Sequence, residues 1–313
     1  MKHSSIRRAG AIAFACVAAA AVIAPASGTA TIPVNLHVLT HGGKTLVDYV
    51  QYTGSTTVEA SRKARCFGSG NPSSNHRYKL KGASLLSVLA DAARHDARVR
   101  PLLLTDAFAS QGFGLGVCGI GGNAAQGASF WYAADDGVAA SSGPNLVKLR
   151  RGDSALWYLT SGSESGFPDE LVLHAPVRVR ANQSYSVRVV RVTSDGTSAP
   201  ASGVTVSGAT APTDANGTTT EPGTTAGATR LRATGTADDV PSAVVRVCVS
   251  SDPSKCPARR GRRIFGTRGA DRIVLKRGGA DRVNCGPGRD VVVVPRRDRD
   301  DLIAKSCEKV IRK

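Results

Sequence analysis

The chain has 313 residues, too many for one small module and enough for two or three domains. Aromatic residues make up only 5%, and one Met and 34 Gly stand beside heavy use of Val, Thr, Ser and Ala, which argues against a helical bundle and for strands joined by turns. Forty-one Lys and Arg against 24 Asp and Glu give a formal charge of +17, so a charged partner is expected to be anionic.

Residues 1–8 are basic, and residues 9–24 form a nearly unbroken apolar run that ends in Ala24-Pro25-Ala26. This is the pattern of an export signal, with cleavage after residue 26, or after residue 30 at Gly28-Thr29-Ala30. The run is shorter than the roughly 20 residues of a membrane span, and no second apolar stretch of that length follows. A secreted product without a transmembrane anchor is expected, either released or held non-covalently at the cell surface. Once Cys16 leaves with the signal, six cysteines remain, an even number in an exported chain, and disulfides are the default. Each of the three segments described below contains its own pair, which favours Cys66–Cys118, Cys248–Cys256 and Cys285–Cys307. A zinc site wants closely spaced ligands such as C-x₂-C, and no such spacing occurs. Closing the 22-residue interval from Cys285 to Cys307 would contribute about 3 kcal/mol.

The first segment, residues 32–175, opens with two alternating stretches around Val34-Asn35-Leu36-His37-Val38 and Leu46-Val47-Asp48-Tyr49-Val50, which predict strands. Residues 83–94 carry apolar side chains at helical spacing behind Ser84, a ready N-cap, and predict a helix. A glycine-rich stretch follows, then a strand at Phe130-Trp131-Tyr132, a turn at Asp135-Asp136-Gly137, and a strand from Gly152-Asp153 to Trp157-Tyr158-Leu159. The aromatic strand and the Gly-Asp-x-x-x-Trp strand, with the helix and Gly119-Ile120-Gly121-Gly122 before them, resemble a secreted bacterial domain of unknown function related to the C-terminal domain of transcobalamin-type proteins. The resemblance covers about 140 residues. It implies an α+β, β-grasp-like module of a kind that takes corrinoid or other small ligands, with Trp131 and Trp157 as candidate ligand-binding residues beside their ordinary role as core aromatics.

The second segment, residues 176–256, alternates strictly at Val177–Val179, 185–192, 204–206 and 244–249, with turns about every 8–12 residues, which predicts a β-sandwich. The turn Thr213-Asp214-Ala215-Asn216-Gly217 between these strands resembles the bacterial immunoglobulin-like domain of the invasin type. That resemblance implies a spacer or adhesive module.

The third segment, residues 257–313, starts with Arg259-Arg260-Gly261-Arg262-Arg263 and then repeats Gly-x-Asp-x-apolar, with Asp271, Asp281 and Asp290 ten and nine residues apart. The unit resembles the RTX nonapeptide, which implies a short parallel β-roll and makes Asp271, Asp281 and Asp290 candidate Ca²⁺ ligands. Lys276-Arg277 stand where leading glycines belong, and the segment carries 17 Lys and Arg against 7 Asp and Glu, a local +10 that opposes cation binding. The competing expectation is a disulfide-clipped roll whose basic surface docks on an anionic cell-envelope polymer, with no nucleic acid involved.

The overall expectation is a mainly β chain: an α+β, β-grasp-like first domain, an Ig-like sandwich and a short roll. No catalytic constellation is apparent. Gly114–Gly119 matches GxGxxG but lacks the following helix that a dinucleotide site requires, and Gly162-Ser163-Glu164-Ser165-Gly166 has Glu where a nucleophile elbow has Ser. His37, His41, His76, His95 and His174 lie in no catalytic motif. The leading expectation is a non-enzymatic extracellular binding or adhesion protein. The alternatives are an extracellular corrinoid or small-ligand binder and, third, a secreted hydrolase with an unrecognised site.

Overall fold

A computed structural model describes residues 31–160, 166–298 and 300–313. The expected export signal lies outside them, as does the centre of the Gly162–Gly166 motif. The fold is mainly β, with several separate sheets and, among the described residues, a single α-helix. No helix among the described residues is long and apolar enough to cross a membrane.

In the first segment the strand Ile32–Leu39 pairs antiparallel with Thr45–Thr53 on one side and parallel with Ser154–Thr160 on the other. Phe130–Asp135 then adds antiparallel to Ser154–Thr160. Alternation sends Val34, Leu36 and Val38 to one face, where they are fully buried together with Leu85, Val88, Leu89 and Ala92 of the helix Leu85–His95. The helix starts where the sequence predicts. Ser84 Oγ accepts from Ser87 N at 3.1 Å while Ser87 Oγ accepts from Ser84 N at 2.7 Å, a reciprocal capping box that satisfies two otherwise orphaned donors. Asp136 and Gly137 both take positive φ, 48° and 83°, as a tight hairpin turn requires.

The middle of the chain places two larger sheets and the short pair Thr205–Val206 with Ala233–Thr234 around a core of Leu171, Leu173, Val187, Val189, Leu231 and Val247. One sheet contains Tyr185–Val192 between Ser198–Pro200 and Asp169–His174, and the other joins Arg178–Arg180, Val245–Ser250 and Gly227–Leu231. Asp169–His174 precedes the expected boundary at residue 175, yet it pairs with Tyr185–Val192 and so belongs to this unit's sheet. In the Thr213–Gly217 turn, Asp214 Oδ1 accepts from Asn216 N and Thr218 N at 2.9 and 2.8 Å, so the aspartate closes the loop through the backbone.

From residue 263 the chain winds as a two-sheet parallel coil. Arg263–Phe265, Arg282–Asn284 and Leu302–Ile303 stack in one sheet, and Arg272–Val274, Val291–Val294 and Lys309–Arg312 stack in the other. Ile264, Ile273, Val283 and Val292 point between them and are buried. The first of these sheets does not stand alone. Arg263–Phe265 pairs in parallel with Thr45–Thr53 through Val50↔Ile264 and Gln51↔Phe265, so the coil extends the first segment's sheet to eight strands. Val50 and Tyr52 fill the open end of the coil's core, and Phe265 stacks on His95 at 4.5 Å and lies 4.6 Å from Tyr49. All three expected disulfides are present: Cys66–Cys118, Cys248–Cys256 and Cys285–Cys307.

Because both tryptophans lie outside the coil, their fluorescence reports whether the shared sheet couples the two parts. Ile264→Ala is expected to destabilise by about 2–5 kcal/mol and to shift the urea midpoint read at tryptophan, although the substitution lies in the coil. A second expectation concerns Asp91, which is buried on the helix and accepts from Thr53 Oγ1 at 2.8 Å and Arg94 Nη1 at 3.0 Å. Burial raises its pKa to about 6, so the folded state binds this proton more tightly than the unfolded chain. Its contribution to stability therefore declines as pH rises from about 4 to about 6, and Asp91→Asn is expected to flatten the melting temperature across that interval.

Candidate functional site

Beside the Phe130–Asp135 strand lies a cleft of about 570 Å³. It is lined by both tryptophans of the chain and by five of its seven phenylalanines: Phe67, Phe108, Phe113, Phe130 and Phe167. The tryptophans form its inner wall, since Trp131 and Trp157 are only 7% and 1% exposed and belong to the first segment's core. Phe67, Phe113 and Phe167 stand at the mouth, 46%, 64% and 51% exposed. Ring contacts divide the aromatics into two groups. Phe108 meets Phe67 and Phe113 edge-on at 5.1 and 6.5 Å, while Phe167 lies 6.3 Å from Phe130 and 5.5 Å from Tyr132.

Local structure explains how these rings are held. The Cys66–Cys118 disulfide ties the loop that carries Phe67 to the strand Gly116–Ile120, and Cys66 N also donates to Cys118 Sγ at 3.3 Å. Gly116 lets the Phe67 ring lie against the strand, because an added Cβ would meet that ring at 3.1 Å. Gly114 has φ +83° and packs on the Gly143 backbone, where Leu115 N donates to Asn145 Oδ1 at 2.7 Å and Gly143 N donates to the Phe113 carbonyl at 2.7 Å. The glycines of the GxGxxG stretch thus serve close backbone packing at the cleft wall, with Gly116–Ile120 a strand paired to Leu102–Thr105.

The cleft is also electrically quiet. Among its described lining residues there is no charged side chain, in a protein of net charge +17. Its polar groups are hydroxyls, including Thr105, Ser129, Ser141 and Ser142. Burial, with Glu170 and Asp169 nearby, pushes the Tyr132 phenol up to about 12, so it stays neutral and available as a donor. Trp131 Nε1 donates to the Asn123 carbonyl at 3.1 Å, whereas Trp157 Nε1 is buried with no hydrogen-bond partner. The sequence points to the two tryptophans but leaves out Phe67, Phe108, Phe113 and Phe167. The one signal for them is statistical: in an aromatic-poor chain, five of seven phenylalanines fall between residues 67 and 167.

The three aspartates expected to bind calcium are fully or almost fully buried and do not converge on one point. Among the described residues, the acids that come together closely enough to share an ion are Asp135, Asp136 and Asp153 at the hairpin turn, where Asp136 and Asp153 accept from Ser154 N and Arg150 N. In the coil Asp281, Asp290, Asp301 and Glu308 instead reach back to the preceding turn. Asp290 Oδ1 accepts from Asp271 N at 2.8 Å, and Glu308 accepts from Asp290 N at 2.8 Å. On the opposite side, Asp281 Oδ1 accepts from Arg262 N at 2.7 Å and Asp301 accepts from Asp281 N at 2.9 Å. Asp271 accepts from Thr267 N and Oγ1 and from Thr31 Oγ1. Arg259 grips Asp281 with both terminal nitrogens, at 2.9 and 2.5 Å. These carboxylates are engaged chiefly with N–H and O–H donors of the coil's turns, while Asp290 Oδ2 and Asp301 Oδ2 are buried without a hydrogen-bond partner.

No model of a known protein family matches the chain, and no curated protein matches it. The reading of the cleft therefore rests on its own chemistry. For the coil, Asp281→Ala leaves the Arg259 guanidinium without its buried partner and is expected to destabilise the protein by about 3 kcal/mol in urea unfolding. Added calcium is expected to leave the unfolding midpoint of the unsubstituted protein unchanged.

Proposed function

We propose that the protein is an extracellular, non-enzymatic binding protein whose aromatic cleft takes a neutral small ligand with an apolar or ring-like face. The observation that carries this reading is the convergence of both tryptophans and five of seven phenylalanines on one uncharged cleft. Its volume falls within the roughly 300–1,000 Å³ of small-molecule sites. Three exposed phenylalanines at one mouth are apolar surface left in water, a cost that a ligand would relieve. Hydroxyls around the rim supply orientation. The described lining carries no carboxylate, imidazole or amine, and its one phenol, Tyr132, is held neutral, which favours recognition over catalysis. Three disulfides suit an oxidising compartment outside the cytosol. In this reading the central two-sheet unit is a spacer, and the basic coil holds the protein near an anionic surface.

The test uses the protein's own fluorophores. Titration with a neutral apolar dye, N-phenyl-1-naphthylamine, and in parallel with a corrinoid, is expected to change tryptophan emission saturably with one ligand per chain for at least one of the two. Phe113→Ala/Phe167→Ala is expected to weaken that binding roughly tenfold while leaving the melting temperature within a few degrees, since both rings are more than half exposed. Flat tryptophan emission with both ligands overturns the proposal.

A further inference from the structure

A second cavity, of about 400 Å³, lies where the first segment, the central unit and the coil meet. Among the described residues six arginines line it: Arg98 just beyond the helix, Arg230 and Arg246 from the central unit, and Arg260, Arg262 and Arg263 at the entry to the coil. Asp48 is the one acid among them. Burial raises its pKa, against a backbone hydrogen bond and the pull of Arg246, Arg232 and Arg263, and one carboxylate cannot balance six guanidinium groups.

Three of the arginines have identifiable other work. Arg98 pairs with Asp96 at 2.6 Å, Arg263 lies 5.6 Å over the Phe265 ring, and Arg260 donates to the carbonyls of Arg246, Ala175 and Pro176, which staples the coil's entry to the central unit. Of the other three, Arg262 keeps one long ion pair, and Arg230 and Arg246 keep none among the described residues. Arg230 and Arg246 stand directly opposite one another on adjacent antiparallel strands, both exposed and neither in an ion pair among the described residues. Like charges in that position repel, so the pair lowers the stability of the unit that carries it. Arg262 Nε is buried without a hydrogen-bond partner and makes only a long ion pair, 3.9 Å, with Asp281 Oδ1. Thr45 Oγ1, on the same cavity wall, is buried and unpartnered as well. Buried donors without acceptors are costly and uncommon, and here they face a wall of guanidinium groups.

We propose that this arginine-lined cavity binds a polyvalent oxyanion of the phosphate class. Guanidinium groups match the oxygens of such an anion in pairs, the orphaned donors gain acceptors, and the repulsion between Arg230 and Arg246 becomes an attraction to a shared counter-charge. A neighbouring cavity of about 350 Å³ shares Arg246, Arg260, Arg262 and Arg263 and adds Arg259 and Arg282, so the positive lining continues beyond a single anion's length. The same chemistry is offered by a free diphosphate and by the phosphodiester groups of an anionic polymer. The site is separate from the aromatic cleft and does not rest on its role.

Calorimetric titration of the purified protein with inorganic pyrophosphate, and with a soluble poly(glycerol phosphate) in parallel, tests the proposal. Binding that weakens with added salt is expected for at least one of them. Arg230→Gln/Arg246→Gln is expected to weaken it roughly tenfold or more while keeping or raising the melting temperature, because removing the repulsion relieves the fold and removes the site. Lys63→Gln/Lys79→Gln, the same change of charge at exposed positions that do not line the cavity, is expected to stay within about twofold of the parent. If neither ligand binds, or if both double variants weaken binding equally, the proposal is overturned. Preferential binding of the polymer, lost in the arginine variant, identifies a phosphodiester chain as the source, and equal binding of pyrophosphate shows that the free ion suffices.

Discussion

The structure depends on two parallel residue pairs, Val50 with Ile264 and Gln51 with Phe265. A strand at the edge of a sheet exposes unpaired backbone groups and must be covered or blunted. Thr45–Thr53 would be such an edge for the first segment, and Arg263–Phe265 would be one for the coil. Each covers the other. The side chains follow from the same register: Val50 and Tyr52 point into the coil and close its core, while Tyr49 on the other face meets Phe265 and its neighbour His95. Gln51 completes the junction, donating to the Gly266 carbonyl at 3.1 Å and meeting His95 Nε2 at 2.7 Å. With Ile32–Leu39 and Arg263–Phe265 fixed in one sheet, the central unit leaves from that sheet and returns to it. The arginine-lined cavity occupies the seam this arrangement creates.

What was legible in the sequence was local. The alternation of Val34, Leu36 and Val38, the cap at Ser84, the hairpin at Asp136-Gly137 and the strand Tyr185–Val192 depend on neighbours a few residues away, and period and turn chemistry reveal them. The three cysteine pairs were readable for the same reason, each lying within one segment. The junction of Thr45–Thr53 with Arg263–Phe265 joins residues more than two hundred positions apart, and no periodicity records it. The boundary expected at residue 175 falls after Asp169–His174 because that strand's partner, Tyr185–Val192, is identified by pairing and not by composition. Likewise the repeat of Gly-x-Asp-x-apolar was plain, but what each carboxylate touches depends on the turn stacked beside it. The cleft was half visible: Trp131 stands out in an aromatic strand, whereas Phe67, Phe108 and Phe113 come from loops whose approach is set by a disulfide and close glycine packing.

The coil's acids also explain the field around it. Asp271, Asp281, Asp290, Asp298, Asp301 and Glu308 all accept from backbone N–H groups or from side chains of the coil's own turns. They organise the turns, and Asp271, Asp281, Asp290 and Asp298 are buried, so these do little to offset the cations on the surface. The first cavity is the counterpart: aromatic, neutral and remote from this field. One chain thus carries two cavities of opposite chemistry, one lined without charge and one with an excess of a single sign.

The shared sheet has a consequence for the order of events during synthesis. A chain that emerges N-terminus first completes Thr45–Thr53 long before residue 265 exists, so the first segment must wait with an open edge while the whole central unit is made. The coil then grows in one direction from that template, each rung laid on the last, until Cys285 and Cys307 lock the final turn. The interval before the template is occupied is when the nascent protein is most exposed to pairing with a second copy of itself.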